Sequence, residues 1–292
     1  INYNVKRAVQ LGLPVEKALQ MATIQPARCY GLYQLGMIAP GRQADFVILD
    51  NVTDLNVVDV YHCGKKIIKD EKAEVKPCPP HLKNTVHVSG FSEERLKLKH
   101  SGEKAHVIQM LEKQIVTKDV VEDVPWVETD GERYFTSNEE YQKIAVIERH
   151  KNTGKMGVGI VKGYGIHGGA IASSVSHDSH NIIVVGDNDH DMALAVKEMI
   201  RTQGGYTLVC NGEIYGTLPL PVMGLMSDAG YESVNEALAR MIPKAHEMGV
   251  KDGFDPFITL SFMALPVIPE IRITPRGIYL VNEDRMLRTP FS

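Results

Sequence analysis

The spacing of apolar residues changes near residue 36, and this change constrains the fold more than any other feature of the sequence. Residues 2–22 place apolar side chains at helical intervals, and Gly12 and Pro14 divide them into two predicted helices. From Gly36 onward the apolar runs are short and bounded by turn residues, as in FVILD, which is typical of β-strands. Two short amphipathic helices cannot enclose a core, so their apolar faces need a partner surface. We therefore predict an α+β chain.

Composition and charge predict a soluble globular protein of the cytoplasm. Its 292 residues correspond to about two domains. The net charge of -4 and the pI near 6.3 argue against nucleic acid and anionic membranes as partners. The sequence contains neither an apolar run long enough to span a bilayer nor a signal peptide. The cysteines show no CxxC spacing, so we expect reduced thiols rather than disulfides or a zinc site.

Turn and capping residues predict several elements in the second half of the chain. Asn211-Gly212 is a strong signal for a hairpin turn between two strands. Residues 189–203 have helical spacing, with Asn188 or Asp189 as the residue that caps the amino terminus of the helix. Together with several short apolar runs, these elements support the α+β assignment.

A second long helix is predicted to begin at Ser233, where Glu236 is placed to form a capping box. Pro243 is predicted to interrupt this helix, because proline lacks a backbone N–H and its ring clashes with the preceding turn. The segment DPFITLSFMALPVIPEIRITPRGIYLVN that follows predicts a proline-punctuated helix and then strands.

The glycine-rich stretch GVGIVKGYGIHGG has the composition of a phosphate-binding loop but not its pattern. It does not give GxGxxG between a strand and a helix, and no GK[ST] is present. We therefore expect these glycines to form hairpin turns or to allow close backbone packing.

Histidine is concentrated in residues 165–191, which hold four of the eleven histidines of the chain. His177, Asp178, His180 and Asn181 stand immediately before an apolar strand, where folds often place functional side chains. Imidazole and carboxylate groups together can bind a metal or transfer protons. The alternative is a turn whose polar side chains only hydrogen-bond the backbone. A metal site would need about three or four ligands, and the sequence shows no second cluster to complete one.

Two sets of motifs resemble a known enzyme family. AVQLGLPVEKALQMATIQPARCYGL followed by GMIAPGRQADFVILD resembles the end of an amidohydrolase-superfamily TIM barrel and the β-sandwich that follows it. KIAVIERH, VKGYGIHGGAIASSVSHDSHNIIVVGDND, LPLPVMGLMSD and FMALPVIPEIRIT are similar to the additional carboxy-terminal domain of adenine deaminases. The resemblance implies the last barrel helices at 1–35, sandwich strands at 36–80, a connecting segment at 81–104 and the α+β carboxy-terminal domain at 105–292.

The resemblance also implies a chemistry and a cofactor. Adenine deaminases convert adenine and water to hypoxanthine and ammonia through a metal-bound hydroxide. The implied metal is manganese or iron, held by histidines and acidic residues at the carboxyl ends of barrel strands. Those ligand motifs are absent here, so we assign no metal ligand to this chain. We expect a missing amino-terminal barrel to bind the metal, the isolated chain to be inactive, and the complete enzyme to be a homo-oligomer.

Within this resemblance, His177, Asp178, His180 and Asn181 are the candidate catalytic residues. Such a segment can close the mouth of the barrel, hydrogen-bond the edge of the purine, or relay a proton to the departing amine. A structural role in holding domains together is the alternative. For the whole chain, two other readings stay open: a non-catalytic docking or assembly module, and a different purine or cyclic-amide hydrolase.

Overall fold

The computed structural model describes residues 1–67 and 77–291. The chain divides into two compact units, Ile1–Val75 and Lys76–Ser292. The sequence predicts a hairpin at VVDVYHCGKKIIKD, with Gly64 in its turn, and a linker at the charge- and proline-rich segment EKAEVKPCPPHLKN. Parts of both segments lie outside the described residues. The segment boundaries expected at residues 35, 80 and 104 remain predictions.

Three short helices open the first unit: α1 (Asn2–Gln10), α2 (Val15–Ala22) and α3 (Ile24–Cys29). The two predicted helices are confirmed, and Gly12 separates them with a φ of +101°, a value that favours glycine. Pro14 stands immediately before α2, where its fixed φ suits the entry to a helix. The third helix was not expected from the spacing of apolar residues.

A small antiparallel sheet completes the first unit. Its strands are β1 (Phe46–Leu49), β2 (Val57–His62) and β3 (Lys65–Lys66), in the order β1-β2-β3. The β2–β3 turn contains Gly64 as predicted, with a φ of +75°. The buried cluster of this unit is small and contains Val5, Ala18 and Leu55.

An eight-stranded sheet dominates the second unit, in the order β13-β12-β10-β11-β8-β9-β4-β5. Neighbouring strands are antiparallel except β4 and β9, which are parallel. In chain order, the elements of this unit are β4 (Ala105–Met110), β5 (Thr117–Glu122), β6 (Trp126–Thr129), β7 (Glu132–Phe135), β8 (Tyr141–Ile147), β9 (Met156–Lys162), β10 (Gly169–Ser173), β11 (Ile182–Gly186), α4 (Asp189–Thr202), β12 (Gly205–Cys210), β13 (Glu213–Pro219), α5 (Tyr231–Glu247), α6 (Ile258–Met263), β14 (Ile271–Thr274), β15 (Gly277–Leu280) and β16 (Arg285–Leu287). The predicted α+β class is confirmed.

Both faces of the large sheet are covered. Successive side chains of a strand point to opposite faces. In β8, Ile144 and Val146 pack with residues of α5, α6, β14 and β15, whereas Ala145 and Ile147 pack with residues of α4. The sheet is therefore a middle layer, and the strands β8 and β11 are buried along their whole length.

The predicted helix and hairpin around residues 188–212 are confirmed. Asn188 caps α4, since its side-chain oxygen accepts a hydrogen bond from the backbone N–H of Asp191 at 2.8 Å. Asn211 and Gly212 have φ values of +49° and +81°, the left-handed conformation that a tight two-residue hairpin requires.

The predictions for Ser233 and Pro243 in α5 were both wrong. The helix begins at Tyr231 after Gly230, without a side-chain cap, and Ser233 lies within its first turn. Pro243 does not interrupt it. Met241 and Ala245, on either side of the proline, are both fully buried against the sheet. Their burial offsets the cost of a proline in a helix interior, which is about 3 kcal/mol.

Close backbone packing explains two of the glycines in the glycine-rich stretch. A Cβ atom on Gly157 would lie 2.1 Å from the main-chain oxygen of Thr274, and one on Gly159 would lie 2.7 Å from Ile278. Both glycines belong to β9, so the expectation of close packing rather than a phosphate loop is confirmed there.

None of the helices in residues 1–67 and 77–291 has the length and apolar character needed to cross a bilayer.

Candidate functional site

Residues 177–181 are the second part of the connection between β10 and β11, two antiparallel neighbours in the middle of the large sheet. They adopt a turn rather than a helix, as the Asp-Ser pair between the two histidines predicts. His180 has a φ of +47°, an uncommon conformation for a residue with a side chain. We call residues 177–181 the histidine turn.

The histidine turn brings its two imidazole rings together. The ring centroids of His177 and His180 are 6.1 Å apart, and the rings are inclined by 46°. His177 also stacks on Phe262 of α6, with a centroid distance of 5.1 Å. Its backbone N–H donates to the main-chain oxygen of Ser261 at 3.0 Å, which fixes the start of the turn against α6. The side chain of His177 is 41% exposed and remains open to a ligand.

His180 is held in a defined protonation state by its surroundings. Burial, the guanidinium of Arg149 and the ring of His177 lower the pKa of His180 below its ordinary value. The backbone N–H of Ser176 donates to Nδ1 of His180 at 3.3 Å, so the proton of the neutral ring belongs on Nε2. Near neutral pH, His180 is therefore an uncharged ring with one N–H donor.

The remaining two candidates have different environments. The side chain of Asp178 is 86% exposed, and its Oδ1 lies 3.7 Å from Nδ1 of His177. Asn181 is 5% exposed; its Oδ1 accepts from the backbone N–H of Arg149 at 3.3 Å and its Nδ2 donates to Ser179 at 3.1 Å. Asn181 therefore ties the turn to the end of β8, whereas Asp178 faces solvent beside His177.

Arg149 supports the histidine turn from beneath, and sequence reasoning did not single it out. Arg149 is 1% exposed. Its Nε donates to the main-chain oxygen of His180, and its Nη2 donates to that of Met223 at 3.1 Å. In the described part of the chain no carboxylate lies within ion-pair distance of this guanidinium. Burial lowers the pKa of Arg149 to about 10, so the group still carries its charge at neutral pH.

The residues on either side of Arg149 strengthen this support. His150 contacts the main-chain oxygen of Ser179 through Nε2 at 2.6 Å. Burial raises the pKa of Glu148, but hydrogen bonds from the backbone and hydroxyl of Thr153 and the backbone of Lys151 outweigh it and lower the value to about 2. One feature of the sequence could have pointed to Arg149: it belongs to the run ERH, three titratable residues that directly follow an apolar strand.

A group of potential metal ligands occurs elsewhere in the described ranges, in the first unit. One ligand atom each from Asp45, His62 and Cys63 lies within 4.8 Å of the others, and all three residues are exposed. It is the only such group among residues 1–67 and 77–291, so the histidine turn does not assemble three metal ligands.

Comparisons with known proteins give matches along almost the whole chain. The model of the adenine deaminase C-terminal domain matches residues 114–285, and that of the amidohydrolase family matches residues 1–77. A protein named adenine deaminase from Desulfitobacterium hafniense is 50% identical over 99% of this chain and 50% of its own length. Proteins of the same name from Nitratidesulfovibrio vulgaris and Clostridium acetobutylicum are each 42% identical over 97% of the chain, covering 49% and 50% of their lengths. The chain thus spans about half the length of the curated relatives that it matches.

Proposed function

Because the chain belongs to the adenine deaminase C-terminal domain family, we propose that it forms the carboxy-terminal part of an enzyme that converts adenine and water to hypoxanthine and ammonia. The observation that carries this proposal is the 50% identity, over 99% of the chain, to a protein named adenine deaminase. The amidohydrolase match at residues 1–77 supports a hydrolytic reaction and a barrel preceding the β-sandwich. The proposal does not require the isolated chain to be active.

The family suggests a divalent metal, and we propose manganese or iron. The residues described in the second unit do not fit such a centre, since the histidine turn offers no set of three converging ligands. We therefore propose that the metal ligands lie in the part of the enzyme outside this chain. When bound there, such a metal would activate water as the nucleophile.

The proposed role of the histidine turn is to contact the purine. The unprotonated ring nitrogens of adenine are hydrogen-bond acceptors, and the neutral ring of His180 has a donor on Nε2. His177 is exposed beside it and carries a carboxylate neighbour, Asp178, at 3.7 Å, so it is suited to pass a proton to the departing amine. Asn181, buried and bonded to the backbone of Arg149, is given a positioning role instead.

Product analysis of the complete protein tests the proposed reaction. With manganese or ferrous iron supplied, adenine should yield hypoxanthine and ammonia in equal amounts. Guanine and dihydroorotate serve as comparison substrates, because a different purine or cyclic-amide hydrolase would prefer one of them. Failure to consume adenine under these conditions would overturn the assignment.

Single substitutions test the histidine turn separately. His177→Ala and His180→Ala should each lower kcat/KM for adenine by about 100-fold, the lower end of the range for groups that transfer protons. His190→Ala is the matched control, since this nearby histidine of α4 has a side chain that is 68% exposed and contacts Glu93 instead. Unchanged kinetics in both turn variants would show that the turn has only a structural role.

A further inference from the structure

The tip of the β2–β3 hairpin is held against Asp45, the residue before β1. The backbone N–H of Gly64 donates to the main-chain oxygen of Ala44 at 2.9 Å. The backbone N–H of Cys63 donates to Oδ1 of Asp45 at 2.7 Å. These two bonds fix the position of Cys63 and of its neighbour His62 relative to the carboxylate.

Asp45 also orients the imidazole of His62. Nδ1 of His62 lies 3.1 Å from Oδ1 of Asp45. The carboxylate of Asp45 therefore accepts a hydrogen bond from Nδ1–H of the neutral imidazole. The neutral ring then has its lone pair on Nε2. This arrangement of a carboxylate behind a histidine is the one that commonly supports metal-binding imidazoles.

The free nitrogen of His62 faces the thiol of Cys63. Nε2 and Sγ are 3.7 Å apart. Two zinc ligands at a tetrahedral angle, with a Zn–S bond of about 2.3 Å and a Zn–N bond of about 2.1 Å, are separated by about 3.6 Å. The two atoms therefore already have the spacing that one zinc ion imposes on a thiolate and an imidazole.

From this geometry we infer a binding site for Zn²⁺ or a similar borderline-soft divalent cation at the β2–β3 turn. His62 Nε2 and Cys63 Sγ are its ligands, and Asp45 orients His62 from behind. The side chains of His62 and Asp45 are 65% and 34% exposed, so an ion can enter and water can complete the coordination. The inference rests on the first unit alone and is independent of adenine deamination.

Cobalt substitution tests this site in the complete protein. Co²⁺ bound to a thiolate gives a sulfur-to-metal charge-transfer band in the near ultraviolet, which ligation by nitrogen and oxygen alone does not give. We expect a saturable band that Zn²⁺ displaces and that Cys63→Ser abolishes. Cys29→Ser is the matched control, because Cys29 is another exposed free thiol of the same unit, and it should leave the band unchanged.

Two further variants define the roles of the other residues. His62→Gln should abolish the high-affinity band while retaining the thiol, and it provides the same test if Cys63→Ser fails to fold. Asp45→Asn should weaken binding by about 10-fold or more, since the support of the imidazole is lost. A protein that shows no band, or a band that survives both Cys63→Ser and His62→Gln, would overturn the inference and leave a plain sulfur–imidazole contact.

Discussion

The guanidinium of Arg149 donates a hydrogen bond from Nε to the main-chain oxygen of His180. The backbone N–H of the same arginine donates to the side chain of Asn181, so one residue at the end of β8 holds two consecutive residues of the histidine turn. β8 and β11 are adjacent strands that are buried along their whole length, so the residues that follow β8 and precede β11 are positioned by the core of the sheet. The exposed ring of His177 is thus presented by a fixed base rather than by a free loop.

Replacement of Arg149 by methionine should destabilise the protein by about 2 kcal/mol. The main-chain oxygens of His180 and Met223 would lose a charged donor in a buried setting, and relief from burying the charge offsets only part of that loss. Urea unfolding monitored by circular dichroism measures the change. Arg276→Met, at an exposed position, should stay within about 0.5 kcal/mol of the parent. Equal midpoints for the two variants would contradict a supporting role for Arg149.

The imidazole of His180 should titrate below its ordinary pKa of 6.5. Burial comes first among the causes, followed by Arg149 and His177. In His177→Gln one of these causes disappears, so the pKa of His180 should rise toward 6.5. Histidine side-chain resonances in a two-dimensional NMR titration report the value, and His246→Gln, which is not among the causes, should not change it.

The lowered pKa of His180 also has a consequence for stability. The unfolded chain binds a proton at this position more readily than the folded chain does. The free energy contributed by the neutral ring is therefore fully present above about pH 6.5 and is lost as the pH falls toward the lower folded value. Between pH 7 and pH 5, the free energy of unfolding of the parent should therefore fall relative to that of His180→Gln. A difference that stays constant over this range would contradict the assignment of a neutral His180.

The sequence was sufficient where local chemistry determines the structure. Asn188 caps its helix and Asn211-Gly212 forms its turn, because each acts through bonds to residues next to it in the chain. At Pro243 the local preference gives the wrong prediction, since the burial of its helix against a distant sheet overrides that preference. Arg149 could not be found for a related reason: its partner His180 is 31 positions away along the chain.

In the candidate site, too, the sequence predicts the features that depend on neighbouring residues and misses one that depends on the sheet. Local histidine density pointed to His177 and His180, and the turn between them was predicted from Asp178 and Ser179. The sequence did not distinguish Asn181 from its neighbours, although the structure buries it and exposes Asp178. Whether Asp178 or Asn181 is buried depends on the position of β11 in the sheet, which cannot be predicted from a short stretch of sequence.

Two glycine substitutions separate steric conflict from backbone strain. Gly157→Ala should cost about 3 kcal/mol or more, since its Cβ atom would lie 2.1 Å from a backbone oxygen that the sheet holds in place. Gly212→Ala should cost only about 1 to 2 kcal/mol, because the nearest atom is 4.0 Å away and only the φ of +81° is unfavourable. Thermal and urea unfolding of the two variants give the comparison. The reverse order of destabilisation would contradict the packing of β9 against Thr274.

Glu148 should make the free energy of unfolding depend on pH in the acidic range. Its folded pKa of about 2 lies below the ordinary value of 4.5, because hydrogen bonds from the turn that follows outweigh the opposing effect of burial. A depressed carboxyl pKa contributes stability that is present above the unfolded value and is lost as the pH falls through the folded one. At neutral pH, Glu148→Gln should therefore cost about 1 kcal/mol, a figure reduced for contact with solvent.

The difference between the parent and Glu148→Gln should shrink as the pH falls from 4.5 toward about 2, since the parent carboxylate becomes protonated over that range. Glu283→Gln, in which a largely exposed carboxylate paired with Arg285 is removed, is the control and should cost less at neutral pH. Urea unfolding at a series of pH values supplies both curves. If the Glu148 variant matched the control at neutral pH, the turn after β8 would not be held by this carboxylate, and the rigid support proposed for the histidine turn would lose one of its anchors.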